Sequence, residues 1–197
     1  MIIYGNKIIL RNIELSDTDN IIRWRNNDSV RKYFINQTLF TKESHLKWMK
    51  EHVSTGKAHQ FIIIEKENNI SIGSVYVRNI DTIHKKAEFG IFIGEEKYRG
   101  SGIGLEATKL ILRYAFEELG LNKVFLRVLS VNHAAIKSYS KAGFKYEGLF
   151  REDVCVNSEY LDIIFMGILK DERKYELNHN KMNSFNKLLL TNMEEDE

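Results

Sequence analysis

The stretch EEKYRGSGIGLEA, Glu95 to Ala107, sets three glycines directly behind an arginine and runs them into a helical pattern. Glycine costs backbone entropy, so a cluster of it marks a place where the backbone itself must come close to something. At the start of a helix that something is an anion, because the first amides have no partner within the helix and lie at the positive end of its dipole. Downstream, Ile103, Ala107, Leu110, Ile111, Tyr114, Ala115 and Leu119 recur at helical spacing until Gly120 ends the run. Upstream lies the β-rich AEFGIFIGE, and beyond the helix lies KVFLRVL. The glycines therefore sit inside a strand–helix–strand unit, whose two strands should be parallel and joined by a right-handed crossover.

Two common phosphate-binding patterns fail here. A P-loop needs Lys and then Ser or Thr after its last glycine, whereas Gly104 is followed by Leu105 and Glu106. Gly102, Gly104 and Ala107 do satisfy the dinucleotide pattern G-x-G-x-x-A. GEEKYR, however, separates them from the strand they should follow at once, and the next strand ends Leu129, Ser130, Val131 without an acid for ribose hydroxyls.

Outward from this unit the chain reads as α+β. KIILRNI (7–13) is a strand, and SDTDNIIRWRNND offers Ser16 or Asp17 as the cap of a helix carrying Ile21, Ile22 and Trp24. VRKYFINQ continues as a broken helix, and Thr41 caps a third helix with Leu46, Met49 and Val53 on one stripe. QFIIIEK, ISIGSVYVRNI and AEFGIFIGE form an antiparallel meander. NHAAIKSYSKAG gives a short helix ended by Gly143, and FKYEGLFREDVCV and EYLDIIFMGIL are the last strands. One domain over residues 1–170 is expected, followed by a polar tail, 171–197, that should be partly mobile.

With 197 residues, 43% hydrophobic and 28% charged, the chain can bury a core without metal or disulfide staples. The single cysteine, Cys155, cannot pair within the chain and reads as core or strand filler. No Cys/His cluster has zinc spacing, so no metal is expected, and a reducing cytoplasm is the expected setting. MIIYGNKIILRNIELSD acquires charge too early for a secretory segment, and no apolar run approaches the ~18 residues of a membrane span. A net charge of +2, spread along the chain, leaves no broad nucleic-acid footprint.

Arg99-x-x-Gly102-x-Gly104, between a strand and a long helix, resembles the pyrophosphate loop of the GNAT superfamily of acyl-CoA-dependent N-acyltransferases. NHAAIKSYSKAGF, with Asn132, Ala135, Ile136, Tyr139, Gly143 and Phe144, is similar to that family's N-x-x-A-I-x-x-Y-x-x-x-G-F segment. The two motifs stand in the family's order, and the resemblance covers about residues 7–170. GIFIGEEKYRGSGIGLEATKLILRYAFEELGLNKVFLRV with the later YEGLFRE resembles the branch of ribosomal-protein N-terminal, spermidine and amino-sugar acetyltransferases. IRWRNNDSVRKYF and HLKWM look most like enzymes that acetylate a nucleotide-linked amino sugar in pseudaminic-acid pathways.

The resemblance implies the GNAT fold, a mixed, mostly antiparallel sheet flanked by helices with a splayed parallel pair in its middle, and acetyl-CoA as cosubstrate. Backbone amides of Arg99, Gly100, Ser101, Gly102, Ile103 and Gly104 would hold the pyrophosphate, Phe92 and Ile93 would pair with the pantetheine arm, and Asn132 would bond it. Tyr139 would protonate the departing thiolate, since a phenol keeps its proton at neutral pH. Glu88 is the candidate base, or else is simply paired with Lys85 or Lys86. His84 is a weaker candidate in a loop. Arg25 and Arg31 could bind an acceptor's diphosphate through their guanidinium forks. The expected acceptor is a small-molecule amine, best a nucleotide-linked amino sugar, with a protein N-terminus and a polyamine as alternatives and a non-enzymatic acyl-CoA sensor as the rival class. Nucleic acid and membrane are not expected partners, and a homodimer is an assembly open to the chain.

Overall fold

The computed structural model describes residues 1–173. Of the expected tail, 171–173 complete a helical turn begun at 170, and the remainder lies outside the described residues. Eight strands form one sheet: β1 (Ile2–Tyr4), β2 (Ile8–Asn12), β3 (Ala58–Glu65), β4 (Ile70–Asp81), β5 (Lys86–Ile93), β6 (Lys123–Leu129), β7 (Lys145–Val156) and β8 (Glu159–Leu169). Their order is β1-β2-β3-β4-β5-β6-β8-β7, and every neighbouring pair is antiparallel except β5 with β6. β1, which pairs Ile2–Tyr4 with β2, is the one strand the sequence pattern does not announce.

Alternation along β3 shows why both faces need cover. Phe61 and Ile63 join one core cluster, and Ile62, pointing the other way, joins the second. The helix after the glycines, α4 (Ile103–Glu117), lays Ile103, Ala107, Leu110, Ile111, Tyr114 and Ala115 on the first face, and Gly120 stops the chain with φ +64°. On the second face, α1 (Thr18–Asn26) buries Ile21 and Trp24, and the four-residue α2 (Asp28–Arg31) buries Val30. Of the expected broken helix VRKYFINQ (30–37) only Val30 and Arg31 are helical, at the end of this single turn, which the side chain of Asn27 caps.

Two local expectations shift. Asp17 does not cap α1 through its side chain. It accepts from the Glu14 amide (2.8 Å) and from Arg11 (2.8 Å), closing the short turn Leu15–Asp17 instead. Thr41 does cap α3 (Lys42–Trp48), but the buried residue there is His45, while Leu46 is 41% exposed. The polar ring wins the inner position because it finds Thr18 Oγ1 at 3.1 Å and packs on Phe40, leaving Leu46 turned outward.

The feature that makes a site is in the middle of the sheet. β5 meets β6 only over Lys86–Glu88 opposite Lys123–Phe125, although β5 stays paired with β4 through Ile93 and β6 with β8 through Leu129. Beyond Glu88 the parallel strands part, and the free edge of β5 opens onto a cleft.

Candidate active site

The cleft holds about 840 Å³. Its walls are the open edge of β5, the glycine loop, β6 at Arg127, α5 (His133–Lys141), and Arg25, Ser29 and Phe34 from the α1–α2 region.

The glycine loop carries the first requirement of the chemistry. Glu106 is the first amide of α4 to find a carbonyl, that of Gly102 at 3.1 Å. Among the described residues, the amides of Gly100 to Leu105 have no acceptor, a row of donors at the positive end of a helix. Gly100 and Gly102 hold φ of +74° and +86°, conformations a side chain resists, and a Cβ at Gly104 would project into open space with no heavy atom within 4 Å. These residues fit a pyrophosphate.

The cradle starts one residue later than the motif suggests. The Arg99 amide is already spent on Glu96 O (3.0 Å). Its guanidinium donates to Ile93 O (3.1 Å), Gly94 O (3.4 Å) and Ser29 Oγ (2.9 Å). Arg99 therefore holds the loop rather than the ligand. Ser101 Oγ donates to Tyr98 O (2.6 Å) and the Ile103 side chain is in the core, so each has only its amide to offer.

Backbone parity corrects a second assignment. Gly94 N–H donates to Ile72 O (2.8 Å), and in an antiparallel ladder residues alternate in direction. The polar backbone groups of Phe92 therefore face β4, and those of Ile91 and Ile93 face the open edge. The Phe92 side chain packs edge-on against Trp24 and Phe34 (ring centroids 6.4 and 5.7 Å). Of the expected pair only Ile93 faces the cleft with its backbone, and its carbonyl is engaged by Arg99, leaving its amide and the groups of Ile91.

Tyr139 stands in the cleft wall, its ring edge-on to Phe89 at 5.7 Å. Burial, reinforced by the nearby Tyr76, pushes its phenol well above the usual value, so it is protonated throughout the neutral range. Among the described residues its hydroxyl has no hydrogen-bond partner. Asn132 also lines the cleft, and its Oδ1 accepts from the Ala135 amide (3.2 Å) as the N-cap of α5, leaving Nδ2 to donate.

Glu88 is neither solvent-facing nor paired with Lys85 or Lys86. It is 3% exposed and accepts from Arg78 (Nη2 2.9 Å, Nε 3.2 Å), Asn79 Nδ2 (3.0 Å) and Arg127 Nε (3.1 Å). Burial alone would raise its pKa, but the hydrogen bonds and charges of Arg78 and Arg127 outweigh it and hold the carboxyl below its ordinary value. A carboxylate offers about four lone-pair sites, and four donors fill them. Such a group is a poor base, which corrects the expectation for Glu88. It anchors two arginines at the point where β5 and β6 separate. Neither arginine is singled out by a motif. The available signal was a lone arginine inside each of the apolar runs SVYVRNI and VFLRVL.

Arg25 reaches the cleft and Arg31 does not. Arg31 pairs with Asp28 on the other side of α2, because a residue six positions further on, across a break in the helix, faces elsewhere. Arg25 lies over the rings of Phe34 (4.2 Å) and Phe40 (4.6 Å), with its Nε buried and unpartnered and no ion pair among the described residues. Burial, with Arg78 nearby, lowers its pKa from a very high starting value. His84 is exposed in the β4–β5 turn, bonded to Asp81 (2.8 Å), and Cys155 is exposed on β7 rather than in the core. No cluster among the described residues could hold a metal ion, and no described helix is long and apolar enough to cross a membrane.

A splayed parallel pair, an amide cradle at a helix start and a protonated phenol between them define an acyl-CoA-dependent acyltransferase. Residues 7–145 match the family described as acetyltransferase (GNAT) domain, and the chain belongs to that family: its donor is acetyl-CoA and its reaction is N-acetyl transfer. It is 30% identical over 174 residues to the uncharacterized N-acetyltransferase p20 of Bacillus licheniformis (86% of this chain, 97% of that protein). It is 28% identical over 168 residues to the spermidine N(1)-acetyltransferase of Vibrio cholerae (85% and 96%). The crystal structure of the Vibrio cholerae spermidine N-acetyltransferase in complex with CoA and spermine superposes with a TM-score of 0.79 at 27% identity, covering 85% of this chain and 98% of that one. The Vibrio cholerae enzyme is also described in a dodecameric structure.

Proposed function

We propose that the cleft transfers the acetyl group of acetyl-CoA directly to a primary amine whose carrier also bears an anionic group, a nucleotide-linked amino sugar being the acceptor that fits. The observation that carries this reading is the charge of the acceptor wall: Arg25, Arg78 and Arg127 share the cleft with a single carboxylate, Glu88, which Arg78 and Arg127 already help to saturate. A half-buried guanidinium with no counter-ion is costly, and a phosphate or carboxylate would supply the missing partner. Acetyl-CoA supplies an activated thioester. The amides of Gly100 to Leu105 bind its pyrophosphate, the open edge of β5 at Ile91 and Ile93 orients the arm, Asn132 Nδ2 donates to it, and Tyr139 holds the proton that the thiolate takes. Glu88 keeps Arg78 and Arg127 in place. Among the described residues the cleft wall has no other carboxylate and no histidine, so the amine reacts in its neutral form, and the proton it sheds as the C–S bond breaks restores the Tyr139 phenol.

A second reading, a polyamine acceptor, is favoured by the similarity to the Vibrio cholerae spermidine acetyltransferase in sequence and structure. A polycation needs carboxylates; on the acceptor side Asp28 and Glu43 are a sparse supply, and neither lines the cleft. A thiol-release assay comparing a UDP-linked 4-amino sugar, spermidine and an N-terminal peptide at equal concentration tests the choice. Preference for spermidine or the peptide by tenfold in kcat/KM, about 1.4 kcal/mol, overturns the anionic acceptor and leaves acetyl transfer intact. Thiol release with none of a broad amine panel would favour the sensing role. By analogy with the dodecameric relative, self-association is also proposed, and sedimentation equilibrium would reveal it.

A further inference from the structure

The loop joining β5 to the amide cradle is fastened to the acceptor wall at three points. Gly94 lies under the Trp24 indole so closely that a Cβ there would run into the ring. Glu95 Oε1 accepts from Trp24 Nε1 (2.8 Å) and from Arg23 Nη2 (2.6 Å) on α1. Arg99 spans from the Ile93 and Gly94 carbonyls to Ser29 Oγ on α2. Arg25, the cation of the acceptor wall, lies between these fastenings in sequence, one residue after Trp24 and four before Ser29.

The same segment carries the unsatisfied amides. The residue after Arg99 is Gly100, the first free donor, and the two positive-φ glycines give the loop little side-chain restraint of its own. Without an anion, the aligned amide donors of residues 100–105 repel one another, and the turn is held only by the Ser101 hydroxyl on Tyr98 O and by Ile103 in the core. With one, the loop is fixed, and Glu95 and Arg99 are fixed with it.

We propose that Glu95 and Arg99 are positioning residues that couple the two half-sites, so that an occupied amide cradle orders α1 and α2 and sets Arg25 for the acceptor. The inference rests on the acetyl-CoA reading of the cradle. Coupling of this kind is reciprocal: the acceptor must tighten CoA binding by the factor that CoA tightens the acceptor's. α1 is anchored at its start and inner face by Thr18, Ile21 and Trp24, but α2, which carries Ser29, only by Val30, so the polar links to Glu95 and Arg99 can bias the order of the α1–α2 end.

The test is hydrogen–deuterium exchange of the full chain with and without saturating CoA, read in peptides from residues 18–31. The wild type should show exchange slowed about fivefold or more there, the lower end of ordinary coupling. The double variant Ser29→Ala/Glu95→Gln should keep its CoA dissociation constant within about threefold while losing that protection. Arg99→Lys, which keeps the charge but cannot span three acceptors, should lose part of it. A wild type whose protection is confined to residues 91–106 overturns the proposal without any variant being made. Protection of 18–31 retained in the double variant overturns it as well, since the effect would then be direct contact with CoA. Absence of CoA binding to the wild type would instead refute the cradle assignment on which the coupling rests.

Discussion

Gly104→Ala separates binding from folding, because stability and affinity should move in opposite directions. Gly104 is the second residue of α4, has no positive φ, and leaves open space where a Cβ would go. Alanine there gains helix propensity, about 0.5 kcal/mol at a first-turn position, which for a domain of this size raises Tm by roughly 1–2 °C. The new methyl projects into the cleft, where only a bound ligand can meet it. Holding a phosphate off one or two amides forfeits hydrogen bonds to a charged acceptor of about 1.5–3 kcal/mol each, so the loss of one weakens CoA roughly 10- to 150-fold. Gly102 could not give this answer. At φ +86° any side chain adds about 1–2 kcal/mol of backbone strain, and both quantities fall together. Differential scanning fluorimetry and titration calorimetry with CoA read the two effects. A Gly104→Ala protein with raised Tm and a CoA affinity within threefold of wild type would refute the cradle. A Tm lower by several degrees would refute the open space assigned to Gly104.

Tyr139→Phe keeps the ring contacts with Phe89 and Phe144, so CoA affinity should stay within a few-fold while kcat drops by ~10²-fold; an unchanged kcat removes Tyr139 from catalysis. Because burial raises this phenol, wild-type activity should show no alkaline loss from it up to about pH 10, the ordinary value, as a pH–rate profile would record. Glu88→Gln leaves two arginines uncompensated and should cost about 3 kcal/mol by urea denaturation, the low end for a broken buried pair because both arginines are about one-third exposed. Since the folded carboxyl is held below 4.5, its stabilisation is present above that pH and is lost as pH falls; an acid limb of kcat/KM that vanished in the variant would restore Glu88 as a base. His45 should make the fold acid-sensitive. The Thr18 hydroxyl proton goes to Leu15 O (2.6 Å), so Nδ1 of His45 must donate to Thr18, and the buried Nε2 is a bare acceptor. Burial first, then Arg25, lowers its pKa against the opposing pull of Asp17, so stability present above pH 6.5 should fall away as pH drops below it, a limb that His45→Leu flattens in urea midpoints measured against pH.

What could be read directly from the sequence was local. The helical spacing from Ile103 to Leu119, its stop at Gly120, the caps at Thr41 and Asn132, and the glycines ahead of α4 each depend on residues a few positions apart, where propensity and period act without help from the rest of the chain. The parallel pair followed from the same unit, since a crossover helix leaves the strands no other direction. The tertiary structure alone decided what each charged group meets. Glu88 is joined to Arg78 ten residues away and to Arg127 thirty-nine away, and Arg99 to Ser29 seventy away, by strand register and helix placement that no window of sequence contains. Register also fixed that Ile91 and Ile93, not Phe92, turn their backbone to the cleft, for a single-residue slip in a ladder reverses every group. Arg25 and Arg31 look equivalent on paper, but only one of them lies on the face that the break between α1 and α2 directs inward. Periodicity tells which residues share a face, whereas the partner across that face is set by distant chain segments brought together by burial.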